Sequence, residues 1–201
     1  MSMKADLLRR ISSLQDFGSP DIRYEQYMTP PQLAADMVFT AYMQGDIEGK
    51  KVVDLGTGTG ILGISAALLG GEVDAIEIDP GALEIARENA EKASADVNFV
   101  ESDIKNFWGE YDTCIMNPPF SVHSEEGHLF VDKALEIADS IYTLGSDKLL
   151  TQIKDLAGSN NYRVESEKLE ISLPATYGFH TEEGRETEIN LIYVRPEDNG
   201  N

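Results

Sequence analysis

One cysteine, one tryptophan and three histidines are all that 201 residues contain of these types. A single thiol excludes an internal disulfide and a cysteine-based zinc site, and no metal is expected. Basic residues are scarce as well: 16 lysines and arginines stand against 36 aspartates and glutamates, a net charge of -20. A face built to grip phosphates needs clustered Lys and Arg. Here there are only small islands, Lys4, Arg9, Arg10 and Arg23 near the start and Lys50-Lys51 further on. Also missing is any run of 18 apolar residues, so no membrane span is expected. Met1 to Arg10 carries charges rather than the apolar core of a secretory signal. A cytoplasmic location is the default expectation. Three readings of the acidic surplus stay open. It suits a salt-rich cytoplasm, where acidic surfaces keep proteins soluble; an RNA substrate approached with a partner that supplies positive charge; or a substrate that is not nucleic acid.

What is present suffices for one folded domain. Hydrophobic residues make up 41% of the chain and aromatics 8%, ordinary values for a globular protein with a core. There is no internal repeat and no low-complexity linker. Residues 1–201 read as a single domain, with N-terminal helices and an arm over 1–48, a core over 49–196 and a polar tail over 197–201 that is expected to fray. Leu7, Leu8, Ile11 and Leu14 share one face and predict a helix over 4–16. An irregular arm rich in Gly, Pro and Tyr follows over 18–30. Pro30-Pro31 opens a second helix to about Met43, because proline is tolerated in a first helical turn. An alternation then begins: strands over 51–55, 72–78, 97–101 and 111–116, with helices over 61–69 and 80–93 among them. A helix over 127–139, a strand over 141–144 and a helix over 147–157 come next, and β segments over 162–173 and 187–194 close the chain. Strands alternating with helices imply an α/β fold with a doubly wound, mostly parallel sheet. The last two strands, joined without a helix, predict an antiparallel pair at one edge.

Val52-Val53-Asp54-Leu55-Gly56-Thr57-Gly58-Thr59-Gly60 reads as a first strand, a tight turn and a helix start. Ligands of such sheets bind beyond the carboxyl ends of the strands. Glycines let the backbone approach a ligand closely, and a helix N-terminus offers free N–H groups to a carboxylate or phosphate. Gly58-x-Gly60-x-x-Gly63 also spells the dinucleotide fingerprint, with Glu77 at a ribose-binding distance. Two details favour S-adenosylmethionine (SAM) over a nicotinamide cofactor. Asp54-Leu55-Gly56 stands directly before the turn, as in SAM enzymes, and the chain is too short to add a hydride-acceptor domain. Glu77 ends the second strand, where its carboxylate can accept both ribose hydroxyls. Asp79 reads as the N-cap of the next helix, ahead of Pro80. Asp103 follows the third strand at a position that reaches the adenine amino group, with Ile104 beside the ring; it reads equally well as a turn aspartate.

Asn117-Pro118-Pro119-Phe120 follows the fourth strand. Alone, Asn-Pro-Pro is a turn signal. After a glycine turn of this kind it is the pattern of enzymes that methylate an amino nitrogen. An exocyclic amine is a poor nucleophile because its lone pair is delocalised into the ring. The Asn117 side-chain oxygen and the Pro118 carbonyl can accept its two N–H bonds and draw the lone pair out of conjugation, while Phe120 stacks on the base. The reaction is then an in-line displacement helped by positioning, with no general base needed early. A base held in structured RNA has to be splayed out first. Cys114 lies inside an apolar strand and is expected to be buried and structural rather than a nucleophile.

On these residues the chain resembles the archaeal and eukaryotic family of small, NPPF-type, class I RNA adenine-N6 methyltransferases that modify one adenosine of small-subunit ribosomal RNA. The likeness runs from about Tyr24 to Val194. Glu25-Gln26-Tyr27-Met28-Thr29-Pro30 resembles the family's E-Q-Y-x-T arm, which closes over SAM with Gln26 and Thr29 as the contacting positions. The resemblance implies a Rossmann-like core and a cofactor site of Gln26, Thr29, Gly56, Thr59, Glu77, Asp103 and Ile104, which Asp54 and Gly60 of the glycine turn are expected to share. It implies a catalytic motif of Asn117, Pro118, Pro119 and Phe120. Leu173-Pro174-Ala175-Thr176-Tyr177-Gly178-Phe179-His180 resembles the family's L-P-A-S-Y-x-F-H segment, which puts Tyr177 and His180 near the substrate entrance. One departure stands out. Relatives carry lysines after that histidine, and here the run is Thr181-Glu182-Glu183-Gly184-Arg185-Glu186. RNA contact then shifts to the N-terminal basic residues or to a partner. Similar families use a small zinc-binding activator protein that covers an apolar sheet edge; the resemblance leaves open such a partner or a free-standing acidic monomer or homodimer.

Other acceptors fit the same chemistry. A glutamine side-chain amide in a release factor or other translation protein has the same lone-pair problem and suits an acidic enzyme. Guanine N2 is a further alternative, because N-P-P-F occurs in those enzymes too. DNA is disfavoured by the lack of a target-recognition domain. A non-catalytic scaffold is disfavoured by the intact glycine turn and N-P-P-F motif.

Overall fold

The structure is a computed structural model that describes residues 2–18, 20, 26–119, 126–158, 161–172 and 186–197. At its centre is a seven-stranded sheet in the order β3-β2-β1-β4-β5-β7-β6. The first five strands, β1 (Lys51–Leu55), β2 (Glu72–Glu77), β3 (Val97–Glu101), β4 (Tyr111–Met116) and β5 (Ala138–Gly145), run parallel. The closing strands β6 (Tyr162–Ser172) and β7 (Glu186–Pro196) are antiparallel, with β7 inserted between β5 and β6. The helices are α1 (Met3–Ile11), α2 (Pro31–Met43), α3 (Ile61–Leu68), α4 (Pro80–Ala93), α5 (Glu126–Ile137) and α6 (Asp147–Gly158). The sheet is mixed only at its C-terminal edge, as the missing helix between the last strands predicted. Among the described residues no helix is long and apolar enough to cross a membrane.

Side chains alternate between the faces of a strand, and this divides the core in two. Val52 of β1 and Ile115 of β4 face α1 to α4, while Val53, Leu55, Cys114 and Met116 face α5 and α6. All six are inaccessible to solvent, as expected of parallel strands covered on both sides. Cys114 lies within this second core, and burial pushes its thiol well above its ordinary pKa, so it has no thiolate character.

The elements depart from the sequence expectations at their ends. α1 stops at Ile11 rather than at 16. Ser13 Oγ donates to the Arg10 carbonyl at 3.1 Å, an acceptor that a continuing helix would give to the Leu14 N–H, which bonds to the Ile11 carbonyl instead. Beyond this end the Gln15 backbone is hydrogen-bonded to Asn89 of α4. β2 ends at Glu77, one residue early, because the N–H groups of Ile78 and Asp79 donate to the Glu77 carboxylate instead of a neighbouring strand. β5 starts at Ala138 directly after α5, three residues before the expected Ile141.

A polar cluster ties the sheet's two halves together behind the site. Tyr142 of β5 donates its hydroxyl to Asp46 at 2.5 Å, and Arg195 of β7 donates to the same carboxylate at 2.7 Å. The Asp46 carbonyl accepts from Thr113 of β4 at 2.6 Å. Burial, reinforced by the Asp46 carboxylate, raises the Tyr142 pKa, so the phenol stays a donor. Asp46→Ala leaves a buried hydroxyl and a guanidinium without their shared acceptor. It should lower stability by about 1–3 kcal/mol, seen as an earlier urea midpoint at unchanged m-value.

Candidate active site

A cavity of ≈ 260 Å³ opens beyond the carboxyl ends of β1 to β4. It sits where strand order reverses between β1 and β4, the place where open α/β sheets bind ligands. Its floor is the turn that joins β1 to α3. Gly56 and Gly58 both adopt left-handed backbone, with φ of +70° and +55°, which side-chain-bearing residues rarely do. A Cβ on Gly56 would stand 2.8 Å from the Phe130 ring, and one on Gly58 would stand 3.0 Å from the Phe17 ring. The turn is thus a bare backbone surface with an aromatic ring close on either side.

Two acidic side chains give this turn its shape. Asp54, at the end of β1, is wholly buried. Its Oδ2 accepts from Thr57 Oγ1 at 2.5 Å and from the Gly63 N–H of α3 at 2.8 Å, while its Oδ1 is buried without a hydrogen-bond partner. Burial dominates and pushes the carboxyl up to about 7. Glu77, at the end of β2, accepts the Gly58 N–H at 2.9 Å through Oε2, and the N–H groups of Ile78 and Asp79 at 2.9 and 3.1 Å through Oε1. Burial raises its pKa, and the three backbone donors oppose that rise. Glu77 is therefore both a wall of the cavity and a brace on the glycine turn.

The opposite wall carries Asn117, which follows β4. Its Nδ2 donates to Thr29 Oγ1 at 2.9 Å, and its Oδ1 is buried with no partner. Thr29 is itself only 5% exposed. It precedes Pro30, so its backbone is confined to extended conformations. Gln26 Nε2 donates to Asp79 Oδ2 at 2.5 Å, which brings the arm onto the start of α4. Asp103 lines the cavity while its Oδ1 caps a turn by accepting the Lys105 N–H at 2.9 Å.

Of the positions expected from sequence, Gln26, Thr29, Gly56, Thr59, Glu77, Asp103, Ile104, Asn117 and Pro119 line this one cavity. Three others do not. Asp54 and Gly60 stand beneath the turn: the former holds its conformation and the latter starts α3 in left-handed geometry, φ 91°. Neither offers an atom to the cavity lining. Pro118 is buried and also outside the lining. Phe120, Tyr177 and His180 lie outside the described residues. Sequence reasoning missed Phe17 and Phe130. Phe130 sits in an expected helix, where an aromatic reads as core, and Phe17 falls between the helix expected over 4–16 and the arm over 18–30. Nor did it foresee that the N-terminal cations are engaged by the chain itself. Lys4 pairs with Asp36 at 2.6 Å, Arg9 with Asp6 at 2.7 Å, and Arg10 donates to the Ala93 carbonyl at 2.6 Å. Among the described residues no group of three or more His, Cys, Asp and Glu is placed to hold a metal ion.

The buried Asp54 carboxyl gives a pH prediction with a definite sign. Its folded pKa, about 7, lies above the ordinary value of 3.8. The fold therefore prefers the protonated form. That contribution is complete below about pH 4 and is lost as pH rises through about 7. Asp54→Asn removes the titration, so the fall in melting temperature between pH 5 and pH 8 should be smaller in the variant than in wild type. Parallel profiles would contradict the assignment.

The methyltransferase small domain family model matches residues 34–149. An rRNA N(6)-adenosine-methyltransferase of Danio rerio is 33% identical over 199 residues, covering 92% of this chain and 95% of that protein. A Pyrococcus horikoshii protein of known crystal structure is 30% identical and superposes with a TM-score of 0.87 over the whole of both chains. The SAM-bound magnesium protoporphyrin IX methyltransferase of Synechocystis shares the fold at a TM-score of 0.66 and 21% identity, covering 96% of this chain and 92% of that one. With a cavity floored by bare glycine backbone and walled by a strand-end carboxylate, this chain belongs to the methyltransferase small domain family and carries the class I SAM-dependent methyltransferase fold.

Proposed function

We propose that this enzyme methylates the N6 amino group of an adenosine in small-subunit ribosomal RNA. The observation that carries this reading is the Asn117 amide: a buried oxygen without a partner, in a residue that lines the cavity, with its nitrogen already committed to Thr29. An acceptor placed in this way suits a substrate nitrogen that has N–H bonds to give. The full-length likeness to the Danio rerio rRNA N(6)-adenosine-methyltransferase supports adenine as the base and ribosomal RNA as its source.

The residues present fit SAM. The glycine turn and the N-terminus of α3 would face its carboxylate, Glu77 its ribose hydroxyls, and Asp103 with Ile104 its adenine. Bound there, SAM supplies an electrophilic methyl group. Everything else is done by the chain. Asn117 Oδ1 accepts one amino N–H, which draws the nitrogen lone pair out of the ring and aims it into the cavity. The motif assigns the second N–H to the Pro118 carbonyl, although Pro118 stands outside the present cavity lining, and the face of the base to Phe120. Thr29 holds the amide so that its oxygen points inward. Because the site works by fixing these groups in advance, no side chain needs to remove a proton before the bond forms. The acceptor adenine has to leave its stack to reach Asn117.

Methyl transfer from labelled SAM to small ribosomal subunits, with and without a small zinc-binding activator protein, tests the reading. The product should digest to N6-methyladenosine. Asn117→Ala should lower kcat by about 10²-fold or more, the scale of losing one preorganised polar group, with SAM affinity retained. Glu77→Ala should do the reverse first, weakening SAM binding by about 10–100-fold through loss of a charged hydrogen-bonding group. Label in a protein glutamine, or in N2-methylguanosine, would reassign the acceptor.

A further inference from the structure

The segment between α1 and the arm has no role in the site so far described, yet the structure pins it with unusual care. It runs back along one face of α4. Arg10 donates to the Ala93 carbonyl at 2.6 Å, and Lys92 donates to the Ser13 carbonyl. The third fastening is Asn89, which is 1% exposed. Its Oδ1 accepts the Gln15 N–H at 2.7 Å, and its Nδ2 donates to the Gln15 carbonyl and to the Thr59 carbonyl, each at 2.9 Å. Positions 93, 92 and 89 lie on one side of a helix, since residues three and four apart are neighbours there. The same helix presses on the glycine turn directly: a Cβ on Gly60 would stand 3.1 Å from Ala86 Cβ. Two residues beyond Gln15, Phe17 lines the cavity with its ring against Gly58.

We propose that Phe17 is a cofactor-binding residue and that Asn89 is the positioning residue that delivers it, by joining the N-terminal segment to the glycine turn in one buried amide. This deepens the reading of the cavity as the SAM site and rests on it. The argument is one of satisfied groups. A buried side-chain amide with all three hydrogen bonds made to backbone can sit in only one orientation. Two of those bonds go to Gln15 and one to the turn, so the turn and the segment cannot move independently while Asn89 is in place. A flat apolar ring held over a bare glycine backbone closes one side of a cavity that the sheet and α3 leave open. Ring burial there would favour the apolar part of the cofactor over water. The sequence offered no hint of this, because a polar residue inside a helix reads as solvated surface.

Isothermal titration of SAM into the full chain tests the proposal without reference to any acceptor. Asn89→Ala and Phe17→Ala should each weaken SAM about 5–50-fold, and Phe17→Leu, which keeps apolar bulk over Gly58, should recover part of the loss. If Asn89 acts through Phe17, the double variant should bind little worse than the weaker single variant, because the two losses are one interaction. In Phe17→Ala the KM for SAM should rise by a larger factor than kcat falls. Wild-type SAM affinity in Phe17→Ala would overturn the proposal, and so would fully additive losses in the double variant. Phe17 is half-exposed and carries no buried polar group, so its variant decides the matter even where Asn89→Ala folds poorly. If wild type binds SAM and Phe17→Ala does not, while neither methylates RNA, the acceptor assignment fails and this inference stands. If wild type binds no SAM, both fail.

Discussion

The carboxyl group of Asp54 is the constraint on which the rest of the site depends. It is placed in the buried stretch 52–55 of β1, where an ionisable group would not sit without cause. From there it ties Thr57 to Gly63 and so closes the β1–α3 turn from below. Glu77 holds the same turn from the side through Gly58, and Asn89 from behind through Thr59. Three polar side chains from three separate elements thus converge on the turn, through the Thr57 hydroxyl and the backbone of Gly58, Thr59 and Gly63. Each takes a group that would otherwise seek water or secondary structure, and together they leave the turn's upper face bare. A cofactor approaching that face meets backbone already fixed in place, so little conformational entropy is lost on binding.

How much of this was legible in the sequence follows from how local each signal is. The core elements from Lys51 to Met116 are marked by apolar runs ended by Gly, Asp or Asn, and the structure places them within a residue of the expected limits. Glu77, Ile104 and Asn117 were legible because a residue at a strand's carboxyl end must point into the crevice. Asp54 occupies such an end as well, yet it serves the turn from inside, because the period of a strand sends alternate residues to opposite faces and this one meets α3. The end of α1 was misjudged because a hydrophobic period says nothing about which partner takes the last carbonyls. Asn89 and Phe17 were illegible altogether. Their function lies in contacts across 30 to 74 residues of chain, and no local pattern encodes those.

The net charge of -20 looks different once the cations are located. Lys4, Arg9 and Arg10, the N-terminal island that composition offers to a polyanion, spend their charge on Asp36, Asp6 and the C-terminal turn of α4. Exposed pairs of this kind add little stability, but they occupy the groups that a phosphate would need. For the proposed RNA acceptor, attraction at long range then falls to other cations, among them the exposed Lys51 and Lys105, the latter in the cavity lining, or to a partner's surface. This makes the charge of the chain an argument about assembly rather than about chemistry. In the proposed reaction the Asn117 amide would serve any amine that reaches it, and the acidic body would bear on which macromolecules approach.

That division reaches into the site itself. Thr29 belongs to the arm and Asn117 to the core, and their hydrogen bond spans 88 residues of sequence. Pro30 confines the Thr29 backbone, α2 begins immediately after it, and the side chain is shut off from solvent. The amide it orients has no other partner for its oxygen. A buried acceptor left unmade costs free energy in the resting protein, and that cost is recovered when a donor N–H arrives. An oxygen satisfied in advance by the protein would have to surrender its bond before it could polarise an amine. In the proposed reaction, leaving it unpaired, with the arm holding the nitrogen end away, makes the interaction strongest at the moment the acceptor is in place.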